Sequence, residues 1–155
     1  MKPTSHAKQK LNPRDIPAGV IGLGLMGHSI IACLLSAGHP VAGVTRSLAK
    51  HKGTRRHVLD LLRQMRREGL LRRDPAALIR RLTLSEDYGD LARCGIVIES
   101  IIEDIETKKE AYRAVEAAVP KDTIIGSNTS SIPLSLLQAE AAHPERFVGI
   151  HWDEP

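Results

Sequence analysis

Val20-Ile21-Gly22-Leu23-Gly24-Leu25-Met26-Gly27 is the stretch on which the reading of this chain turns. A short apolar run, Gly19-Val20-Ile21, leads into three glycines spaced G-x-G-x-x-G, and a helical pattern leaves them. Strand, glycine turn and helix in that order make the first half of a dinucleotide-binding βαβ unit. Gly22 permits the tight turn, Gly24 has no Cβ to keep a pyrophosphate from the backbone, and Gly27 lets the helix lie close on the strand. The helix N-terminus then offers free N–H groups and the positive end of its dipole to the phosphates. Leu25 and Met26, between the last two glycines, count with them as candidate cofactor contacts.

Glycines alone also suit a purely structural turn, so the flanks decide. Met26, Ile30, Cys33, Leu34 and Ala37 share one helical face. Gly38 ends the helix, His39-Pro40 turns the chain, and Val41-Ala42-Gly43-Val44 reads as a second strand. This completes a βαβ unit of about the expected 30 residues.

A length of 155 residues suits one domain, and with aromatics at 3% the core must be aliphatic. No run approaches the ~20 apolar residues of a membrane span. The polar segment 1–15 lacks the apolar centre of a secretory signal. Residues 1–16 are expected to form a flexible arm ahead of a nucleotide-binding domain over 17–155. Cys33 and Cys94 show no metal-ligand spacing, so reduced thiols, no metal site and a cytoplasmic location are expected. The net charge of +4 is uneven: residues 46–81 hold 12 lysines and arginines against Asp60, Glu68 and Asp74. That block carries no Phe, Tyr or Trp on which a base could stack and no nucleic-acid motif, so nucleic acid is not the expected partner. Solvated helix faces and a site for a phosphorylated ligand remain the two readings of it.

At the end of the second strand, where an acid would hydrogen-bond the adenine ribose of NAD, stands Thr45, followed by Arg46. A missing carboxylate and an adjacent cation suit NADP or a relaxed choice; an arginine merely exposed beside the adenine is the other reading. Residues 47–81 read as a helical hairpin, with a stripe of Val58, Leu61, Leu62 and Met65, a stop at Gly69 and a restart at Asp74-Pro75. Leu82-Thr83-Leu84 is a third strand. Gly95 to Ile101 is a nearly continuous apolar run, as in a parallel strand covered on both faces. A helix over 106–119, a strand over 123–126, a helix over 133–142 and a strand over 147–151 complete an α/β chain. The expected fold is Rossmann-type: a doubly wound parallel sheet of order 3-2-1-4-5-6, with the hairpin inserted after strand 2.

Polar residues gather at the carboxyl ends of three strands: Glu103, the loop Ser127-Asn128-Thr129-Ser130-Ser131, and His151. Histidine, with an ordinary pKa near 6.5, is the best general acid or base among them. Ser130 and Asn128 are suited to holding a substrate oxygen. Each has a plainer reading as a packed histidine or a turn residue.

These segments resemble a family. Gly22 to Gly27, Val97-Ile98-Glu99-Ser100-Ile101-Ile102-Glu103, Lys108-Lys109-Glu110, Ser127 to Ser131 and Pro144-Glu145-Arg146-Phe147-Val148-Gly149-Ile150-His151 are similar to the NAD-binding domain of L-3-hydroxyacyl-CoA dehydrogenases. The likeness covers roughly residues 17–155. It implies His151 as catalytic base, Ser130 on the substrate oxygen, and Asn128 beside substrate and nicotinamide. It also implies Glu103 and Lys108 along the cofactor and active-site region, and a hairpin that meets CoA. The implied reaction is reversible oxidation of a 3-hydroxyacyl-CoA with NAD as cofactor, NADP being possible because of Thr45-Arg46. An acyl-CoA or hydroxy acid is the implied partner.

The sequence departs from the family at Thr45, and at Glu154, which stands where the family has Asn. The family's second catalytic carboxylate and its helical, dimer-forming C-terminal domain lie further along than Pro155. The resemblance therefore implies a cofactor-binding domain that turns over poorly by itself, from a homodimeric parent. Two other readings stay open: a 3-hydroxyisobutyrate-type NADP-dependent dehydrogenase, and a non-catalytic nucleotide-binding module.

Overall fold

Six short parallel strands make one sheet in the order β3-β2-β1-β4-β5-β6. They are β1 Ala18–Ile21, β2 Val41–Val44, β3 Leu82–Ser85, β4 Ile96–Glu99, β5 Ile124–Ser127 and β6 Phe147–Gly149. The helices are α1 Leu25–Ala37, α2 Thr54–Arg67, α3 Pro75–Ile79, α4 Ile105–Ala118 and α5 Leu134–Leu137. The computed structural model describes residues 12–152. Most of the arm expected over 1–16, and the substitution at Glu154, lie outside these residues. Of the arm's last residues, Pro13–Asp15 form a 3-10 turn capped by Asn12.

The sheet reverses direction of growth at β1, which pairs with β2 on one side and β4 on the other. β1 is buried along its whole length, so its residues are apolar or small without alternation. One face carries α1, α2 and α3 over Val20, Ile30, Ile31, Leu35, Val58 and Leu62. The other carries α4 and α5 over Ile21, Val97, Tyr112, Val115, Ile125 and Leu137. Each such fully buried aliphatic side chain contributes about 1.5–3 kcal/mol relative to exposure.

The α1 face differs from the expected one. Gly27, Ile30, Ile31, Ala32 and Leu35 are buried, Met26, Cys33 and Leu34 are partly covered, and Ala37 is exposed. Apolar residues surround this helix, so spacing alone admitted two faces; contact with both the sheet and α2 selects the Ile31–Leu35 side. The helix expected over 133–142 is only Leu134–Leu137. Past it, the N–H groups of Ala142 and His143 go to the Glu116 carboxylate (2.9 and 3.0 Å), which takes them out of any helical ladder. β6 ends at Gly149 rather than His151: Ile150 still donates to Ser127 O (2.9 Å), but Trp152 N turns to Asn128 Oδ1 (2.6 Å). Gly38 (φ 105°) closes α1, with its N–H on the Leu34 and Leu35 carbonyls.

Candidate active site

The glycine turn behaves as its spacing suggests. Gly22 has φ 94°, and a Cβ there would sit 2.2 Å from Ser100 O. A Cβ on Gly27 would sit 2.0 Å from Gly22 O, so the helix and turn meet backbone to backbone. Gly24 is different: nothing lies within 4 Å of the place its Cβ would take. That absent side chain faces open space at the start of α1, which suits a phosphate group set against the backbone.

The turn opens into a groove of about 760 Å³. Its floor is the glycine turn, with Gly22, Gly24, Leu25 and Met26 of the expected contacts. One end is Thr45, Arg46, Ser47, Lys50 and His51; the other is Ser100, Ile101, Ile102 and Thr107, with Tyr88 also on the wall. Gly27 packs behind the floor. A dinucleotide fits this groove: it is apolar at the middle, has free helix N–H groups beside Gly24, and straddles the switch point of the sheet.

Beyond the Ser100 end lies the polar edge. Ser130 Oγ and His151 Nε2 are 3.1 Å apart. Asn128 connects this pair to the groove, donating to Ser100 Oγ at a long 3.5 Å and accepting the Trp152 N–H at 2.6 Å. The loop is held from one point. Glu103 accepts from the Ser130 and Ser131 N–H groups (3.2 and 3.3 Å), from Ser131 Oγ (3.0 Å) and from Thr129 Oγ1, all on Oε1. Partial burial opposes ionisation of Glu103, but the Thr129 and Ser131 hydrogen bonds and the Lys108 ammonium outweigh it and hold the carboxyl down at about 2.

Lys108 stands apart from the groove lining and turns inward. Its side chain is 1% exposed, with Nζ 2.6 Å from Glu99 Oε1 and 3.3 Å from Glu103 Oε2. Glu99, at the end of β4, has no exposed surface and also accepts from Ile101 N (2.8 Å), Ser127 Oγ (2.9 Å) and Tyr112 OH (2.5 Å). Burial first, then the Glu99 charge, pushes the Tyr112 phenol up. The sequence reading missed Glu99, Ser127 and Tyr112 as a polar cluster. A carboxylate closing an apolar strand and a tyrosine one turn after a lysine were its only signals. It also missed Asp104, which caps α4 by accepting from Thr107 N (2.8 Å).

Among the described residues no cluster of His, Cys, Asp and Glu could hold a metal ion, and Cys33 and Cys94 are free thiols. No described helix is long and apolar enough to cross a membrane.

Comparison with known proteins agrees with this geometry. The family described as "3-hydroxyacyl-CoA dehydrogenase, NAD binding domain" matches residues 17–155. A 5-formyl-3-hydroxy-2-methylpyridine 4-carboxylate 5-dehydrogenase of Mesorhizobium japonicum is 34% identical over 143 residues, covering 88% of this chain and 44% of that protein. A 3-hydroxybutyryl-CoA dehydrogenase of Bradyrhizobium diazoefficiens is 33% identical over 138 residues, covering 88% of this chain and 47% of that protein. The crystal structure of 3-hydroxybutyryl-CoA dehydrogenase from Escherichia coli superimposes with a TM-score of 0.84 at 30% identity, over 94% of this chain and 30% of that one. The chain thus spans about half the length of the curated relatives it matches, or less. With its Rossmann-type sheet and glycine turn, it belongs to the 3-hydroxyacyl-CoA dehydrogenase family and carries that family's NAD-binding domain.

Proposed function

We propose that this chain is the cofactor-binding half of an oxidoreductase that interconverts 3-hydroxyacyl-CoA and 3-ketoacyl-CoA. The observation that carries the reading is the 3.1 Å approach of Ser130 Oγ to His151 Nε2, one residue link from a dinucleotide-sized groove. A bound nicotinamide supplies the hydride chemistry. His151 takes the hydroxyl proton during oxidation and returns it during reduction. Ser130 donates to the substrate oxygen as negative charge builds there. Asn128 fixes the backbone that carries His151 through the Trp152 N–H. Glu103, steadied by Lys108, sets the Thr129–Ser131 backbone and with it the direction of the Ser130 hydroxyl.

The cationic hairpin favours a polyanionic acyl carrier over a bare acid: Arg63, Arg66 and Arg67 outnumber Asp74 in the lining of a second cavity of about 440 Å³ between α2 and α3, although Arg63 and Arg66 are paired with Asp60 and Asp74. A small hydroxy acid or aldehyde without CoA is the second reading, favoured by the Mesorhizobium relative, whose substrate is a pyridine carboxylate. The reading carries with it a cytoplasmic location, where both thiols stay reduced, and a homodimeric whole protein.

By itself the chain is expected to hold cofactor and turn over slowly. Among the described residues no carboxylate contacts His151, so within them no acid holds the imidazole from its Nδ1 side. Calorimetry with NADH and long incubations with acetoacetyl-CoA at high protein concentration test this. His151→Gln is expected to lower the rate about 100-fold and leave cofactor affinity unchanged. Equal rates overturn the assignment of His151, and rapid turnover by the unaltered chain overturns the expectation of slowness. Faster reaction of the free 3-keto acid than of its CoA ester would favour the second reading.

A further inference from the structure

The adenosine end of the groove is cationic and holds no acid. Arg46, Lys50 and His51 line it, and none of the groove's lining residues is Asp or Glu. Arg46 and Lys50 are exposed, and among the described residues neither joins an ion pair. Two unpaired cations aimed into one groove suit an anionic ligand group.

The position where an acid would meet the adenine ribose is withdrawn. Thr45 is 8% exposed, donates its N–H to Ser85 O (3.1 Å), and offers only Oγ1, at 3.5 Å from Ser47 N. The carboxylate that follows β3, Glu86, does not replace it. Glu86 Oε1 is taken by the Leu48 N–H at 2.5 Å, and Glu86 is absent from the groove lining. A carboxylate on the ribose would repel a phosphate on the 2′ oxygen; here that repulsion is missing and cations stand in its place. Arg46 lines the same groove as Tyr88, and its charge works against the rise that burial causes in the Tyr88 phenol.

We propose that Arg46, Ser47, Lys50 and His51 form a 2′-phosphate pocket, and that the chain prefers NADP(H) to NAD(H). Arg46 is the principal ligand, because its planar fork can hold two phosphate oxygens at once. Lys50 adds a point charge, and His51 and Ser47 add donors. The inference rests on the dinucleotide reading of the groove and goes beyond the family's description, which specifies NAD.

Calorimetric titration of the full chain with NADPH and with NADH at one fixed salt concentration tests it. NADPH is expected to bind about tenfold tighter or more, the gain of one charge-assisted contact. Arg46→Ala, at an exposed position, should remove about tenfold of the NADPH affinity and change NADH by less than about threefold. The NADPH advantage should shrink as salt rises. Thr45→Asp should shift preference to NADH; because Thr45 is buried, Arg46→Ala remains the deciding variant. Equal or tighter binding of NADH, or loss of both nucleotides alike in Arg46→Ala, overturns the pocket while leaving the dinucleotide groove standing. Binding of neither nucleotide to the unaltered chain overturns the groove and the pocket together.

Discussion

Glu99 and Lys108 form an ion pair almost sealed from solvent, Oε1 to Nζ 2.6 Å, with side chains 0% and 1% exposed. The pair survives burial because its remaining hydrogen-bonding capacity is used: Tyr112, Ser127 and Ile101 N on the carboxylate, Glu103 on the ammonium. Removing one partner strands the other. Lys108→Met should cost about 3–5 kcal/mol, read from urea unfolding, whereas Glu99→Gln with Lys108→Met should cost less than the single change. An equal or larger cost for the double variant would mean that the two side chains are not coupled.

Acid should loosen the Thr129–Ser131 loop at an unusually low pH. The Glu103 carboxyl titrates at about 2 in the fold against an ordinary 4.5. A depressed folded pKa gives stability that is complete above about 4.5 and lost as pH falls through about 2. The difference in melting temperature between the unaltered chain and Glu103→Gln should therefore hold constant down to about 4.5 and narrow below it. A gap that stays constant to the acid limit would show that Glu103 acts without its charge.

Two glycines of the turn, Gly24 and Gly27, should separate by assay. Gly27→Ala forces a carbon to 2.0 Å from Gly22 O and should cost on the order of 1–3 kcal/mol or prevent folding. Gly24→Ala meets nothing within 4 Å and should leave stability within about 0.5 kcal/mol. Its cofactor affinity should nonetheless fall on the order of tenfold, because the added methyl stands where phosphate approaches the backbone. Paired melting and calorimetry on both variants distinguish a packing glycine from a binding one.

Asn128 is the hinge pin of the C-terminal end of the described chain. Its Oδ1 accepts the Trp152 N–H at 2.6 Å, and the sequence has one tryptophan. Asn128→Ala should shift tryptophan emission to the red and cost about 0.5–1.5 kcal/mol. Asn128→Asp keeps the acceptor and should keep the emission. An unchanged spectrum in Asn128→Ala would mean that Trp152 is held by something else.

The sequence was most informative where geometry leaves few solutions. Gly22 and Gly27 announce a strand-to-helix turn because a Cβ at either would strike backbone, and the sheet order follows from one βαβ unit and right-handed crossovers. Ser130 and His151, 21 residues apart, were chosen because both follow strands of a parallel sheet and must come to its carboxyl edge. Lys108 was harder. A lysine on an amphipathic helix reads as solvated, and only a buried acid on another element explains its burial. The end of α5 was equally hidden, since Glu116 acts on it from 26 residues away. Local periodicity carries no trace of a carboxylate supplied by another helix.

The sheet's reversal at β1 has an evolutionary corollary. On the proposed reading, the residues assigned to the nucleotide's ribose follow strands on one side of that reversal, and Ser130 and His151, assigned to the reacting oxygen, follow strands on the other. If those assignments hold, mutations at Arg46 or Lys50 exchange one redox currency for another without retuning Ser130 or His151. A lineage built on this scaffold is free to change its electron donor and its substrate in separate steps.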